Sequence, residues 1–242
     1  MKKKPLIGIL GGMGTVAGLY FQNIFFNICN QNGIAGDQNY PEWIYMNASL
    51  APDRTAAICK IGPSPVPYLC SCLEKMKAVD VDIVIVTCNS AHVFYDEIST
   101  KIDLPWIHLP NETANYIRNR NVNQIGIIAT NGTLKNGLYQ KALLKENITA
   151  IEPKIDSELQ SKITAAIYHP EFGIKFTGSQ ISTNAKQLIY DVVQELTTTS
   201  ILLACTELSF AVSDMDLPVQ IFDPLQIVAQ ALFDVWQGKR LV

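Results

Sequence analysis

The feature that most constrains this chain is a repeat within itself. Leu6-Ile7-Gly8-Ile9-Leu10 runs into Gly14-Thr15, and Gln124-Ile125-Gly126-Ile127-Ile128 runs into Gly132-Thr133. Gly8 and Gly126 are 118 residues apart, as are Gly14 and Gly132. Later in each half an apolar run ends in a cysteine. Ile83–Val86 leads to Thr87-Cys88-Asn89-Ser90, and Ile201–Leu203 leads to Ala204-Cys205-Thr206-Glu207, an offset of 117. A third pair, Leu104-Pro105-Trp106-Ile107 and Leu217-Pro218-Val219-Gln220, is offset by 113. Three pairs in one order at nearly one spacing describe a duplicated unit, and a duplicated unit must fold the same way twice. A length of 242 residues accommodates two units of ordinary domain size.

Each unit reads as alternating strand and helix. Leu6–Leu10, Ile44–Met46, Ile83–Val86, Ile125–Ala129, Ile201–Ala204 and Val219–Phe222 are short β-branched runs without strict alternation, as in a parallel sheet covered on both faces. Between them lie helical patterns. In Ala185–Leu196 the apolar residues Ala185, Leu188, Ile189, Val192, Val193 and Leu196 share one stripe. Another helix starts with Asp223 as N-cap and Pro224 in its first turn, runs to about Trp236, and stops before Gly238. The expectation is a parallel α/β fold. Gly33–Trp43 and Gly62–Pro67 are the roomiest irregular stretches.

In open α/β sheets, ligands bind beyond the carboxyl ends of the strands. Cys88 and Cys205 stand there, each ahead of polar residues and a helical pattern. The start of a helix favours an anion and lowers a thiol pKa. Two halves facing each other would put the two thiols on opposite sides of one cleft. Inverting a stereocentre requires that arrangement: one sulfur removes a proton as thiolate, and the other returns one to the far face. Cys29, Cys59, Cys70 and Cys72 read as structural, since free cysteine is among the most buried residue types. Cys70-Ser71-Cys72 has neither a redox nor a zinc spacing.

Other positions are weaker signals. Gly12-Met13-Gly14-Thr15-Val16-Ala17 fits the dinucleotide pattern G-x-G-x-x-A, and Asp37 stands 20 residues past Ala17. No strand precedes Asp37, so the glycines read better as a tight turn whose amides approach a small anion such as a carboxylate. Arg54, in Pro52-Asp53-Arg54-Thr55, offers a planar fork that fits a carboxylate at two points. Lys175 is a lone cation among apolar neighbours. His92 reads as a capping or core histidine, and His108 and His169 lack metal-ligand spacing.

Composition removes several classes of function. With 19 basic and 22 acidic residues the net charge is −3, which gives no electrostatic footprint for nucleic acid. Met1-Lys2-Lys3-Lys4 resembles the charged start of a signal peptide, but the apolar run behind it ends at Leu10, too short for export or for a membrane span. Six cysteines in a chain of this length do not form a disulfide scaffold. The expectation is a cytoplasmic protein with reduced thiols and no nucleic-acid or membrane partner.

Together these residues resemble the aspartate/glutamate racemase family, amino-acid racemases that work without pyridoxal phosphate, and within it most closely the aspartate racemases. The motifs are Ile7–Gly14, Pro52–Thr55, Thr87–His92, Ala129–Thr133, Cys205–Glu207 and Asp223-Pro224, so the likeness runs over nearly the whole chain. It implies two pseudo-symmetric Rossmann-like α/β domains with the active site in the cleft between them. Their expected extents are 1–110 with 219–242, and 111–218. By resemblance, Cys88 and Cys205 are the two catalytic acid/bases. Asn89, Ser90 and Ala91 line the substrate beside the first, and Thr206 beside the second. Thr130 touches substrate, Arg54 and Lys175 hold a substrate carboxylate, and the loop Gly12, Met13 and Gly14 lies close by. Thr15 stands where the family commonly has proline, and Ala204 where it commonly has glycine. The resemblance further implies a small amino-acid substrate, aspartate foremost, no cofactor, no metal and a homodimer. Alternatives are a relative acting on glutamate or another amino acid, a two-lobed binding protein for small acids, and a redox thiol protein.

Overall fold

A computed structural model describes residues 4–241; Met1–Lys3, part of the basic start, and Val242 lie outside the described residues. Seven strands are β1 (Ile7–Gly11), β2 (Trp43–Asn47), β3 (Ile83–Val86), β4 (Gln124–Ala129), β5 (Thr149–Ile151), β6 (Ser200–Ala204) and β7 (Gln220–Phe222). They form two sheets, ordered β2-β1-β3 and β5-β4-β6-β7. Every pairing is parallel.

The repeat read from the sequence is a repeat in space. β1 and β4 are the equivalent inner strands, and β3 and β6 each run beside them into a cysteine. The third pair completes the correspondence. Val84 bridges to Trp106 in parallel, with Ile107 N donating to Val84 O at 3.1 Å, so this segment sits beside β3 as β7 sits beside β6. Pro105 has no N–H to donate, which helps keep the segment to a bridge. β5 was not foreseen. Its three residues are half-buried or exposed and carry no apolar run, so periodicity does not mark them.

Helices cover both faces of each sheet. On β1, Ile7 and Ile9 point to one core and Leu10 to the other. On β6, Leu202 and Ala204 enter one core while Ile201, Leu203 and Cys205 enter the other. The helix expected at Ala185–Leu196 spans Thr183–Glu195 and is capped by Ser182, whose side chain accepts from Ala185 N. The last helix spans Pro224–Trp236 with Asp223 as its cap, as its sequence implied. Its Leu225, Val228, Leu232 and Phe233 pack with Phe21 and Phe25 of helix Thr15–Gln31 in the first half. The chain therefore returns to the first half at Asp223. Residues 220–222, expected on the first-domain side, are hydrogen-bonded into the second sheet through β7.

Asp223 carries a cost at that crossing. Its carboxylate is buried, accepting from Ser209 Oγ at 2.7 Å and Leu225 N at 2.9 Å. Burial pushes its pKa up to about 6. A carboxyl whose folded pKa lies above its unfolded value of about 3.9 favours the fold most below that value and loses this contribution as pH rises through the folded pKa. Asp223→Asn keeps an acceptor oxygen without the charge. It should melt higher than the parent at about pH 8, by an amount equivalent to about 2 kcal/mol, and the gap should close by about pH 4. A gap that does not change with pH in thermal melts would contradict this.

Candidate active site

Each cysteine lies just past the end of a strand, Cys88 two residues after Val86 and Cys205 directly after Ala204, and begins a helical turn. Cys88 caps the 3-10 segment Asn89–Phe94 with φ −149° and ψ 113°, and Cys205 caps helix Thr206–Ala211 with φ −141° and ψ 124°. The two backbones are nearly superimposable in conformation, as duplication requires. Neither side chain is spent on capping its helix. Both thiols are free, and both line one cavity of about 10 Å³, room for a single water.

The first half contributes Met13, Arg54, Cys88, Asn89 and Ser90 to this cavity, and the second half contributes Thr130, Lys175, Cys205 and Thr206. Three expected residues are elsewhere. Ala91 is fully buried in a hydrophobic core. Gly12 and Gly14 line an adjoining cavity of about 310 Å³, which shares Met13, Arg54, Lys175 and Glu207 with the first. Their absence of a side chain still shapes the site. Gly12 has φ +89°, and a Cβ on Gly14 would stand 2.9 Å from Glu207 Oε1.

Asp53, Thr55, Tyr168 and Glu207 also line the small cavity, and sequence reasoning gave none of them a role. Asp53 caps helix Arg54–Ile58 through Ala56 N at 2.7 Å. Glu207 was visible as an acid two residues past Cys205. Its buried carboxylate accepts from Cys205 Sγ at 3.0 Å and from Thr206 Oγ1 at 3.4 Å, and forms an ion pair with Lys175. Tyr168, the last residue of helix Glu158–Tyr168, carried no signal at all.

The two thiols therefore have unequal surroundings. Burial, then the charge of Glu207, pushes the Cys205 pKa well above the ordinary thiol value, against the pull of Lys175. Burial works against ionised Glu207, but Lys175 outweighs it and holds the carboxyl below the usual range. Burial likewise opposes the Lys175 charge, and Glu207 and Cys205 more than restore it. On the other side stands Arg54. Burial disfavours its charge, and the sulfur of Cys88, then Asp53 and Glu207, outweigh that cost. Cys205 stands beside the Glu207–Lys175 ion pair, with Glu207 the nearer influence, and Cys88 stands beside Arg54.

Arg54 differs from its expected role as a free fork. Nη1 donates to Ala51 O at 3.1 Å and Pro52 O at 3.0 Å, and Nη2 donates to Met13 O at 2.9 Å. The Nε–H is buried without a partner. The side-chain amide of Asn89 is similar: Oδ1 accepts from Tyr139 OH, and Nδ2 has no partner. Two unmatched buried donors at one cavity fit a carboxylate, since an unpaired buried donor is costly. Across the halves, Ser90 Oγ shares a 3.1 Å hydrogen bond with Thr133 Oγ1, which shares another of 3.1 Å with Thr130 Oγ1 of its own half.

The remaining signals resolve simply. Asp37 sits in an exposed 3-10 turn, and β2 ends in Asn47, so the ribose-binding acid of a dinucleotide site is missing. Cys29, Cys70 and Cys72 are buried, and burial raises the Cys29 pKa to about 11. His108 caps helix Leu109–Arg118, and His169 stacks on Phe172 at 3.7 Å. Among the described residues no group of three His, Cys, Asp or Glu could hold a metal ion, and no helix is long and apolar enough to cross a membrane.

Comparison with known proteins agrees with this architecture. The Asp/Glu/Hydantoin racemase family model matches residues 10–232. The broad specificity amino-acid racemase RacX of Bacillus subtilis is 24% identical over 228 residues, covering 93% of this chain and 96% of the relative. A glutamate racemase of Streptococcus agalactiae is 27% identical over 133 residues, 52% of this chain and 46% of that protein. Among solved structures, Picrophilus torridus aspartate racemase superposes with a TM-score of 0.83 at 24% identity, covering 98% of this chain and 96% of that one. A Pyrococcus horikoshii aspartate racemase homologue gives 0.72 at 20% identity, with 98% and 100% covered. These structures share a fold with two parallel α/β units. With a matching family model over most of its length, two like units and a cysteine from each at one cavity, the chain belongs to the Asp/Glu/Hydantoin racemase family, and its activity is that of an isomerase.

Proposed function

We propose that the protein is a cofactor-independent aspartate racemase that uses Cys88 and Cys205 as its two acid/bases. The observation that carries the reading is that both thiols line one cavity, each at the end of equivalent strands and neither engaged in capping. In one direction the Cys88 thiolate, with Arg54 as counter-charge, removes the α-hydrogen as a proton. The electron pair remains on the substrate as a carbanion delocalised into the α-carboxylate. Cys205, kept a thiol by burial and Glu207, gives its proton to the opposite face. The product form has Cys88 as thiol and Cys205 as thiolate, and the reverse reaction starts from it. An α-hydrogen beside a carboxylate is a poor acid, so the donors must be in place before reaction. The unpartnered Arg54 Nε–H and Asn89 Nδ2 supply such donors.

Arg54, with its unpartnered Nε–H, and Lys175, paired with Glu207, stand at one cavity and suit a substrate with a second carboxylate, as aspartate has. A second reading, a racemase of wider substrate range, is favoured by the adjoining 310 Å³ cavity, which larger side chains would use. A cytoplasmic homodimer is part of the proposal. A water-sized cavity cannot hold any amino acid, so the walls must part to admit substrate. The test is circular dichroism of L-aspartate, L-glutamate and a panel of other L-amino acids with purified protein and no added cofactor. Loss of signal fastest for aspartate supports the reading. Equal or faster loss for other amino acids replaces it with the second, and no loss for any of them rejects both.

A further inference from the structure

The two halves also line a second space, which shares no residue with the cysteine cavity. A crevice of about 280 Å³ is walled by His92, Tyr95, Asp96 and His108 from the first half and by Asn136, Leu138, Lys141 and Lys145 from the second. Its aromatic side is already stacked. His92 lies on Trp106 with ring centroids 5.1 Å apart and planes at 20°, and Tyr95 lies on Trp106 at 4.8 Å and 25°. His108 stands edge-on to both His92 and Tyr95, at 90° and 77°. Tyr95 and His108 thus make a preformed aromatic corner, which a planar ring can enter with its face on one ring and its edge on the other.

The opposite side is cationic. Lys141 and Lys145 lie one turn apart on helix Leu138–Lys145, where like charges repel. Among the described residues neither takes part in a salt bridge. Asp96 is the one acid in the lining, so the crevice carries an excess of positive charge. His92 adds a second, independent observation. It is 2% exposed, its Nε2 is 3.2 Å from Val86 O, and its Nδ1 has no partner. With the Nε2 proton directed at the carbonyl, Nδ1 is a bare acceptor. Burial and neighbouring His108 depress its pKa to about 3, so it stays neutral.

We propose that this crevice is a second ligand site, for a small planar carboxylic acid bearing a hydrogen-bond donor, and that filling it inhibits the enzyme. The carboxylate pairs with Lys141 and Lys145, the ring lies against Tyr95 and His108, and the donor meets the His92 side. The same helix that carries the lysines carries Tyr139, whose hydroxyl donates to Asn89 Oδ1, and Asn89 lines the cysteine cavity. A ligand bridging both halves in this arrangement holds the cysteine cavity at its water-sized volume. A ligand shifts a conformational equilibrium by its preference for one state, so substrate must then compete against the closed state and its apparent KM rises.

The probe is 4-hydroxybenzoate, titrated calorimetrically into the full chain, with phenol as the uncharged control. The expected results are a Kd of about 1 mM or tighter for the acid and at least about tenfold weaker binding of phenol. The double variant Lys141→Gln/Lys145→Gln, changed only at exposed positions, should bind the acid at least about tenfold more weakly and keep the parent's melting temperature and racemase activity. In the parent, about 5 mM probe should raise KM with kcat unchanged, and in the double variant it should not. Equal binding by both proteins, which would put the acid at the Arg54 site instead, overturns the proposal, as does the absence of calorimetric binding. Because calorimetry needs no turnover, failure of the racemase reading would leave this test intact.

Discussion

In heavy water, Cys88→Ser and Cys205→Ser should each lose racemisation by about 10²–10⁴-fold, yet each should exchange the α-hydrogen of one enantiomer of aspartate, and the two should choose opposite enantiomers. A serine hydroxyl holds its proton far more tightly than a thiol, so it can neither act as base nor restore the pair. The surviving thiol still faces one side of the substrate. Proton NMR of L- and D-aspartate reads the exchange directly. The unequal surroundings of the thiols add a pH signature. Cys205 has its pKa raised by burial and by Glu207, so it is a thiolate only above the ordinary thiol range. Exchange by Cys88→Ser, which relies on Cys205 alone, should therefore rise steeply with pH in alkaline buffer. Exchange of the same enantiomer by both variants, or near-parental racemisation by either, would end the two-thiol model.

The second large effect is expected at Glu207. Glu207→Gln removes the partner of Lys175 and the charge beside Cys205 together. Breaking a buried ion pair from one side typically costs about 3–5 kcal/mol, because the other charge stays behind. Lys175 is 20% exposed, which places the loss at the lower end. Adding Lys175→Met should recover much of it, and a double-mutant cycle in denaturant measures the coupling. The pH dependence has a definite sign. The Glu207 carboxyl has a lowered folded pKa, so its contribution is present above the unfolded value of about 4.3 and is lost as pH falls through the folded pKa. The stability gap between parent and variant should shrink in acid. On Cys205 the change is opposite to burial: with the anion gone and Lys175 remaining, the thiol pKa falls. In a Cys88→Ser background, the pH midpoint for alkylation of Cys205 should move down in Glu207→Gln. An unmoved or higher midpoint would show that Glu207 does not govern this thiol.

Much of the architecture was legible because it is written locally and written twice. The nearly equal offsets of Gly8 and Gly126, 118 residues, and of Cys88 and Cys205, 117 residues, required like units, and the apolar runs before each cysteine required strands. Cys88 and Cys205 do end equivalent parallel strands. The cap at Asp223 was equally readable, since an acid before proline states a helix start within a few residues. β5 escaped because an edge strand of three residues, part exposed, shows no period. β7 was read as a strand, but nothing in its own residues says which sheet it joins; that is settled by hydrogen bonds to Ser200–Leu202.

What the sequence determined by itself is the duplicated α/β plan, its family motifs and the two cysteines at strand ends, all of which rest on spacing along the chain. What only the tertiary structure decided is how the charges are spent. Lys175 reaches Glu207 across 32 positions, Arg54 gives three of its donors to carbonyls of Ala51, Pro52 and Met13, and Tyr139 reaches Asn89 across 50. Local pattern records which face of a helix or strand is apolar. It does not record which distant polar group will meet a buried charge, and that meeting sets the ionisation of Cys205 and the role left to Arg54.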